Sequence, residues 1–124
     1  MRRFAALLVL AGSLAGAPAA SAASFFQTPS GNIACQAAGG RVMCGVLSSR
    51  HGDSIPAYWV RRTGLAHRSE IVGDPATDVP VLRYGRSKHL LRGGVVCTSR
   101  KTGLTCRNRS GHGFFLSRES QRRF

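Results

Sequence analysis

Acidic side chains are the scarcest chemistry in this 124-residue chain: Asp53, Glu70, Asp74, Asp78 and Glu119 are all it has. Paired carboxylates of the kind that hydrolyse glycosides are therefore hard to assemble, and Asp74 and Asp78 fall in a turn-rich stretch where Asp serves the backbone. No local cluster of His, Cys and Asp has metal-ligand spacing, so neither a metal nor a cofactor is expected. A membrane-spanning helix needs about 20 mainly apolar residues. The apolar run at residues 4–11 is too short, and Gly12, Ser13, Gly16 and Pro18 prevent its extension. No helix-period pattern lasts beyond about two turns.

The N-terminus does show the pattern of an export signal. Met1-Arg2-Arg3 is a basic start, residues 4–11 are apolar, and Ala20-Ser21-Ala22 has the small-x-small form of a cleavage site, with Ala17-Pro18-Ala19 a weaker one. The expectation is a cleaved signal over 1–22 and a single small β-rich domain over 23–124, secreted or periplasmic, without stable membrane insertion and monomeric. No cysteine near the cut offers a lipid anchor, and Arg2-Arg3 alone does not make a twin-arginine signal.

Export settles how the four cysteines are read. In an oxidising compartment an even number of thiols implies a disulfide framework. Cys35 and Cys44 are nine apart, as are Cys97 and Cys106, so local pairing is expected. Each closed loop contributes roughly 2.7 kcal/mol on the chain-entropy estimate. A four-cysteine zinc site fits badly, because its ligands come in pairs two to four residues apart.

The stretch 93–118 organises the rest. Val95-Val96-Cys97-Thr98 is β-branched and apolar, Arg100-Lys101-Thr102-Gly103 is turn chemistry, and Leu104-Thr105-Cys106 resumes the strand. Upstream, Asn32-Ile33-Ala34-Cys35, a small-residue loop and Arg41-Val42-Met43-Cys44 repeat the scheme, which suggests two related hairpins in one sheet. Thr28-Pro29-Ser30-Gly31-Asn32 reads as a turn. Residues 47–56 read as a loop, and Ala57-Tyr58-Trp59-Val60 as a strand whose tryptophan packs in the core or on the sheet rather than serving as a stacking platform. Residues 63–71 show no period, Val79-Pro80-Val81-Leu82-Arg83-Tyr84 is extended with Pro80 at an edge or strand start, and 88–92 is a short strand. Ser117 is placed to cap a short C-terminal helix over 118–123. The fold class is all-β, a small barrel or sandwich.

These motifs carry a resemblance. Phe26-x-Thr28-Pro29-Ser30-Gly31-Asn32-Ile33-x-Cys35, Tyr84-Gly85, Gly94-x-x-Cys97-x-Ser99, Gly103-x-x-Cys106-x-Asn108 and Gly111-His112-Gly113-Phe114-x-Leu116-Ser117-Arg118 resemble a family of secreted bacterial domains of unknown function with TPSGN and GHGF signatures. The resemblance implies export, local disulfides and a β-rich fold, and brings no activity. Members often carry further cysteines in the middle, where this chain has none, so 47–78 is the least covered part.

Charge is the loudest compositional feature. The formal net charge is +13, and without Arg2 and Arg3 there remain 16 basic residues against 5 acidic ones. One reading is an anionic partner: nucleic acid, lipid head groups, lipopolysaccharide or an acidic wall polymer. The other is composition, since 16 of the 18 basic residues are arginine in an Ala- and Gly-rich chain, as a GC-rich genome produces. An inhibitor of lysozyme, itself basic, would be acidic. Two functions remain open. The first is a binding module for an anionic polymer or surface, through Arg100, Lys101, Arg107, Arg109 and His112. The alternative is a small secreted hydrolase with ribonuclease-like acid–base chemistry, drawing on His51, His67, His89 or His112. His112, between two glycines, either presents its ring to a ligand or is hydrogen-bonded to the turn at 30–32 while the glycines serve a tight turn. Asn108-Arg109-Ser110 matches a glycosylation sequon, though an Asn in a turn suffices.

Overall fold

Ten short strands of three to eight residues make up the described part of the chain, most of them marked by alternating apolar residues and separated by Gly, Pro and Asn. The computed structural model describes residues 23–124; the expected export signal and its cut lie outside the described residues. β1 (Ser24–Gln27), β2 (Ile33–Ala38), β3 (Arg41–Val46), β4 (Ser54–Arg61) and β5 (His67–Val72) form one antiparallel sheet in sequence order. β6 (Ser87–Leu90), β7 (Val95–Arg100), β8 (Gly103–Asn108), β9 (Gly113–Leu116) and β10 (Gln121–Arg123) form the second. A single helical turn, Leu47–Ser49, lies between β3 and β4. The architecture is a sandwich of two five-stranded meanders.

Both expected disulfides are present, Cys35–Cys44 and Cys97–Cys106, with Cα separations of 4.1 and 4.0 Å. Each joins directly opposed residues of a two-residue hairpin. The hairpins do not share a sheet, contrary to the sequence expectation. β2–β3 lies in the first sheet and β7–β8 in the second, and the disulfides meet back to back, with Cys44 Sγ 4.0 Å from Cys106 Sγ. The reason is burial: an apolar disulfide face needs a cover, and two separate sheets each supply the other's. Around this contact lie Phe26, Val42, Tyr58, Val60, Val95, Leu104, Phe114 and Leu116, each at most 5% exposed. Each Å² of apolar surface that this shared face removes from water stabilises the fold by ~25 cal/mol.

The halves match residue by residue. Cys35 and Cys97 are third in β2 and β7, and Cys44 and Cys106 fourth in β3 and β8. Pairing runs from Ile33↔Val46 to Ala38↔Arg41 in one hairpin and from Val95↔Asn108 to Arg100↔Gly103 in the other. Tyr58 stands opposite Cys44 as Phe114 stands opposite Cys106, and these two rings pack 6.1 Å apart. Equivalent residues touching each other mark an approximate two-fold that relates β1–β5 to β6–β10.

Other expectations change too. Residues 121–123 form strand β10 on β9, not a helix; Ser117 closes a turn with Ser120 instead, its Oγ accepting from Ser120 N–H at 3.0 Å. Residues 67–72, without a sequence period, form β5, which is exposed over almost its whole length, so neither face required an apolar pattern. β4 begins at Ser54 and so includes Pro56, within the stretch read as a loop. Proline is tolerated there because pairing with β3 stops at Ala57, which leaves Pro56 locally at an edge. Of the extended stretch expected over 79–84, only 80–82 run along β1, with Gln27 N–H donating to Pro80 O at 2.9 Å and Leu82 N–H to Gln27 O at 2.8 Å, while Tyr84 enters a turn. The strand expected over 88–92 ends at Leu90, and Leu91 and Arg92 turn.

Candidate functional site

One end of the sandwich brings the Thr28–Asn32 turn together with the basic turn of β7–β8. The first of these is a self-contained device. Gly31 N–H donates to Thr28 O at 2.9 Å, Ile33 N–H to Thr28 Oγ1 at 3.3 Å and Asn32 N–H to Ser30 Oγ at 3.2 Å. Pro29 presets the turn, and Gly31 takes the left-handed backbone at φ 73° that a Cβ would disfavour. Asn32 Oδ1 then accepts from Ser48 N–H at 2.8 Å and ties the turn to the link before β4. Backbone satisfaction thus accounts for these residue types, and their side chains reach a ligand only at their free valences.

Beside this turn lies a cleft of about 200 Å³. Ser30 and Asn32 line it on one side, the β7–β8 turn with Arg100 and Lys101 on another, and Ser117 and Arg118 close it after β9. Tyr84 also reaches it, 43% exposed. Three cations face one acid, Glu119, and none of the three is ion-paired among the described residues. Such a cleft attracts an oxyanion through charge and offers hydroxyls to orient it.

The other sequence-named residues fall elsewhere. Arg107 lies on the outer face of the second sheet, its guanidinium 5.0 Å from the Phe124 ring centre, and shares a hollow of about 300 Å³ there with Arg100, which thus borders both this hollow and the end cleft. Arg109 and His112 sit in the β8–β9 turn, at the far end of β8 from Arg100 and Lys101. Of the five candidates, Arg100 and Lys101 share the end cleft, Arg100 and Arg107 the outer hollow, and Arg109 and His112 line neither. His112 is not bonded to the turn at 30–32. Its N–H donates to Asn108 Oδ1 at 3.0 Å, and its Nδ1 lies 3.3 Å from Phe124 O. The difference comes from topology, since β8 separates the two turns by its full length.

The GHGF signature, at that far end, is also structural. Gly111 adopts φ 79°, and a Cβ on Gly113 would collide with the Cys106 carbonyl behind it. Asn108, 6% exposed, is fully engaged: Nδ2 donates to Arg61 O at 3.0 Å and Gly64 O at 2.8 Å, and Oδ1 accepts from Ser110 and His112 N–H at 3.0 Å each. It joins the two sheets, and its amide is not free to carry a glycan.

Outside this cleft the first sheet has a wider hollow of about 450 Å³ that includes Arg41, Met43, Arg61 and Glu70. Trp59 is half-buried on that outer face. It stacks on His67 at 4.3 Å, with Arg41 and Arg61 at 5.1 and 5.5 Å from its ring. The tryptophan packs on the sheet, as one branch of the sequence expectation had it, and not in the main core. The hollow is broader but carries fewer cations, two against three, and includes none of the basic turn. The four histidines occupy four separate segments: His51 before β4, His67 on β5, His89 on β6 and His112 before β9. None lines the end cleft, so no acid–base pair is assembled beside its cations.

A two-sheet, disulfide-pinned domain with a cationic end cleft defines the class to which this protein belongs. Residues 62–124, just over half of the chain, match the family of unknown function DUF6636, and the chain belongs to that family. The matched stretch holds the GHGF signature and lacks the TPSGN turn. No curated protein and no solved structure matches the chain.

Proposed function

We propose that this domain is a binding module for an anionic envelope or extracellular ligand, held in the end cleft by Arg100, Lys101 and Arg118. The carrying observation is charge without compensation. All 16 basic residues beyond Arg3 lie among the described residues, where the only ion pair is Arg50–Asp74, at 2.7 Å on the surface. Uncompensated cations raise the local concentration of anions and speed their capture. The rigid hairpin beneath holds two of the cations in place, because Cys97–Cys106 fixes the strands that carry the turn.

Export with removal of 1–22 and a monomeric domain over 23–124 belong to the same reading. Two formed disulfides suit an oxidising compartment. No helix among the described residues is long and apolar enough to cross a membrane. The test is retention on immobilised heparin against salt. Three charge contacts give a log–log slope of about −2.1 to −2.7, so affinity falls roughly 20- to 40-fold between 50 and 200 mM salt. Replacing Arg100, Lys101 and Arg118 together by Ala flattens that slope. Salt-independent retention, or an unchanged slope in the triple variant, removes the proposal.

A further inference from the structure

The two-fold that relates the sheets also relates their ends. The turns 101–102 and 39–40 are equivalent and lie at opposite ends of the sandwich. Arg62 follows Tyr58 by the same four positions by which Arg118 follows Phe114, so the two arginines are equivalent as well. The far end accordingly has its own cleft, of about 280 Å³ between the 39–40 turn and the β6–β7 turn. Arg62, Lys88, His89 and Arg92 line it, and no acid does.

Contacts hold two of these cations in place, and backbone strain marks the third. Gly94 leaves the space that the Arg62 stem fills, for a Cβ there would strike Arg62 Cγ. Lys88 Nζ lies 5.6 Å from the Phe26 ring centre, at the flank of the core. Arg92 itself sits at φ 57°, after Leu91 at φ 51°. Left-handed backbone costs a side-chain-bearing residue roughly 1–2 kcal/mol, and such strain gathers at ligand clamps. A glycine at 92 would relieve the turn at no structural cost; an arginine there supplies a charge.

We propose that this far cleft is a second oxyanion site, built by Arg62, Lys88 and Arg92 for a phosphate or sulfate group, so that the domain carries one such site at each end. This rests on the anion-binding reading of the first cleft. At about 3.3 Å per residue, the six-residue strands set the two sites on the order of 20 Å apart. The ligand class is therefore a polymer bearing repeated oxyanions, engaged at two points.

Calorimetry with inorganic tripolyphosphate and, separately, sucrose octasulfate at low ionic strength tests it. Two sites per chain are expected, and the ratio of affinities for the two probes tells phosphate from sulfate. Arg92→Gly should melt no lower than the parent and weaken one site about tenfold, the loss of one charge-assisted contact. Arg62→Gln with Lys88→Gln should abolish that site and leave the other. The triple Ala variant at Arg100, Lys101 and Arg118 should do the reverse. One site, lost only in that triple variant, overturns the second site and leaves the first reading intact. One site, lost only with Arg62 and Lys88, overturns the placement at the first cleft and leaves the second. No binding by the parent overturns both.

Discussion

Replacing Asn108 by Ala removes the side chain that makes two of the four hydrogen bonds between residues 61–64 and the β8–β9 turn among the described residues; the others run from Arg109 N–H to Arg62 O and from Gly64 N–H to Ser110 Oγ. The Asn108 amide nitrogen binds two main-chain oxygens, those of Arg61 and Gly64, and its oxygen binds two N–H groups of the β8–β9 turn. A net hydrogen bond contributes about 1 kcal/mol, so four set an upper value of ~4 kcal/mol. Water can replace part of this at Ser110, which is exposed, and a loss of about 2–3 kcal/mol is expected. For a domain of about 100 residues that lowers the midpoint of thermal unfolding by roughly 10–20 °C. The melt should be followed by near-ultraviolet circular dichroism with disulfides intact, where a two-state reading is sound. Asn108→Asp is the informative companion. It keeps the acceptors and sets a carboxylate against the carbonyls of Arg61 and Gly64, so it should not rescue. A midpoint within about 3 °C of the parent for the Ala variant would refute the reasoning, since the turn would then hold the sheets without its amide.

Two further substitutions probe the packing. Gly113→Ala forces a methyl into the Cys106 carbonyl and should cost more than about 3 kcal/mol or prevent folding, read from the urea midpoint; a loss below ~1 kcal/mol would contradict the close approach. Ser99→Ala should be neutral or stabilise by up to about 1 kcal/mol, because the buried Ser99 Oγ has no partner among the described residues and its two-fold equivalent is Ala37; clear destabilisation on the same assay would show that the hydroxyl is bonded.

The hairpins were legible because their determinants are local. Cysteine spacing, turn residues and β-branched flanks all lie within a dozen positions, and they fixed both disulfides. Which sheet each hairpin joins is a long-range matter, decided by mutual cover of the apolar faces, and no spacing encodes it. β5 left no trace because its exposed side chains do not alternate. The C-terminal segment misled because Ser117 offers the same hydroxyl to a helix cap and to the turn it makes with Ser120. At the site, Arg100 and Lys101 were visible as a basic turn. Arg118 and Tyr84 were not, since only the fold sets them beside it. The far cleft drew on Arg62 and on residues 88–92, and its sole sequence hint was the basic run Lys88-His89 to Arg92.

The measurement closest to the central claim is an amide NMR titration with a heparin hexasaccharide at low salt, repeated at high salt. Shifts concentrated at Ser30, at 100–102 and at Arg118, with a second set at Arg62 and 88–92, and both erased by salt, are the predicted result. Shifts spread evenly over the outer faces of both sheets, or none at any salt, would contradict it.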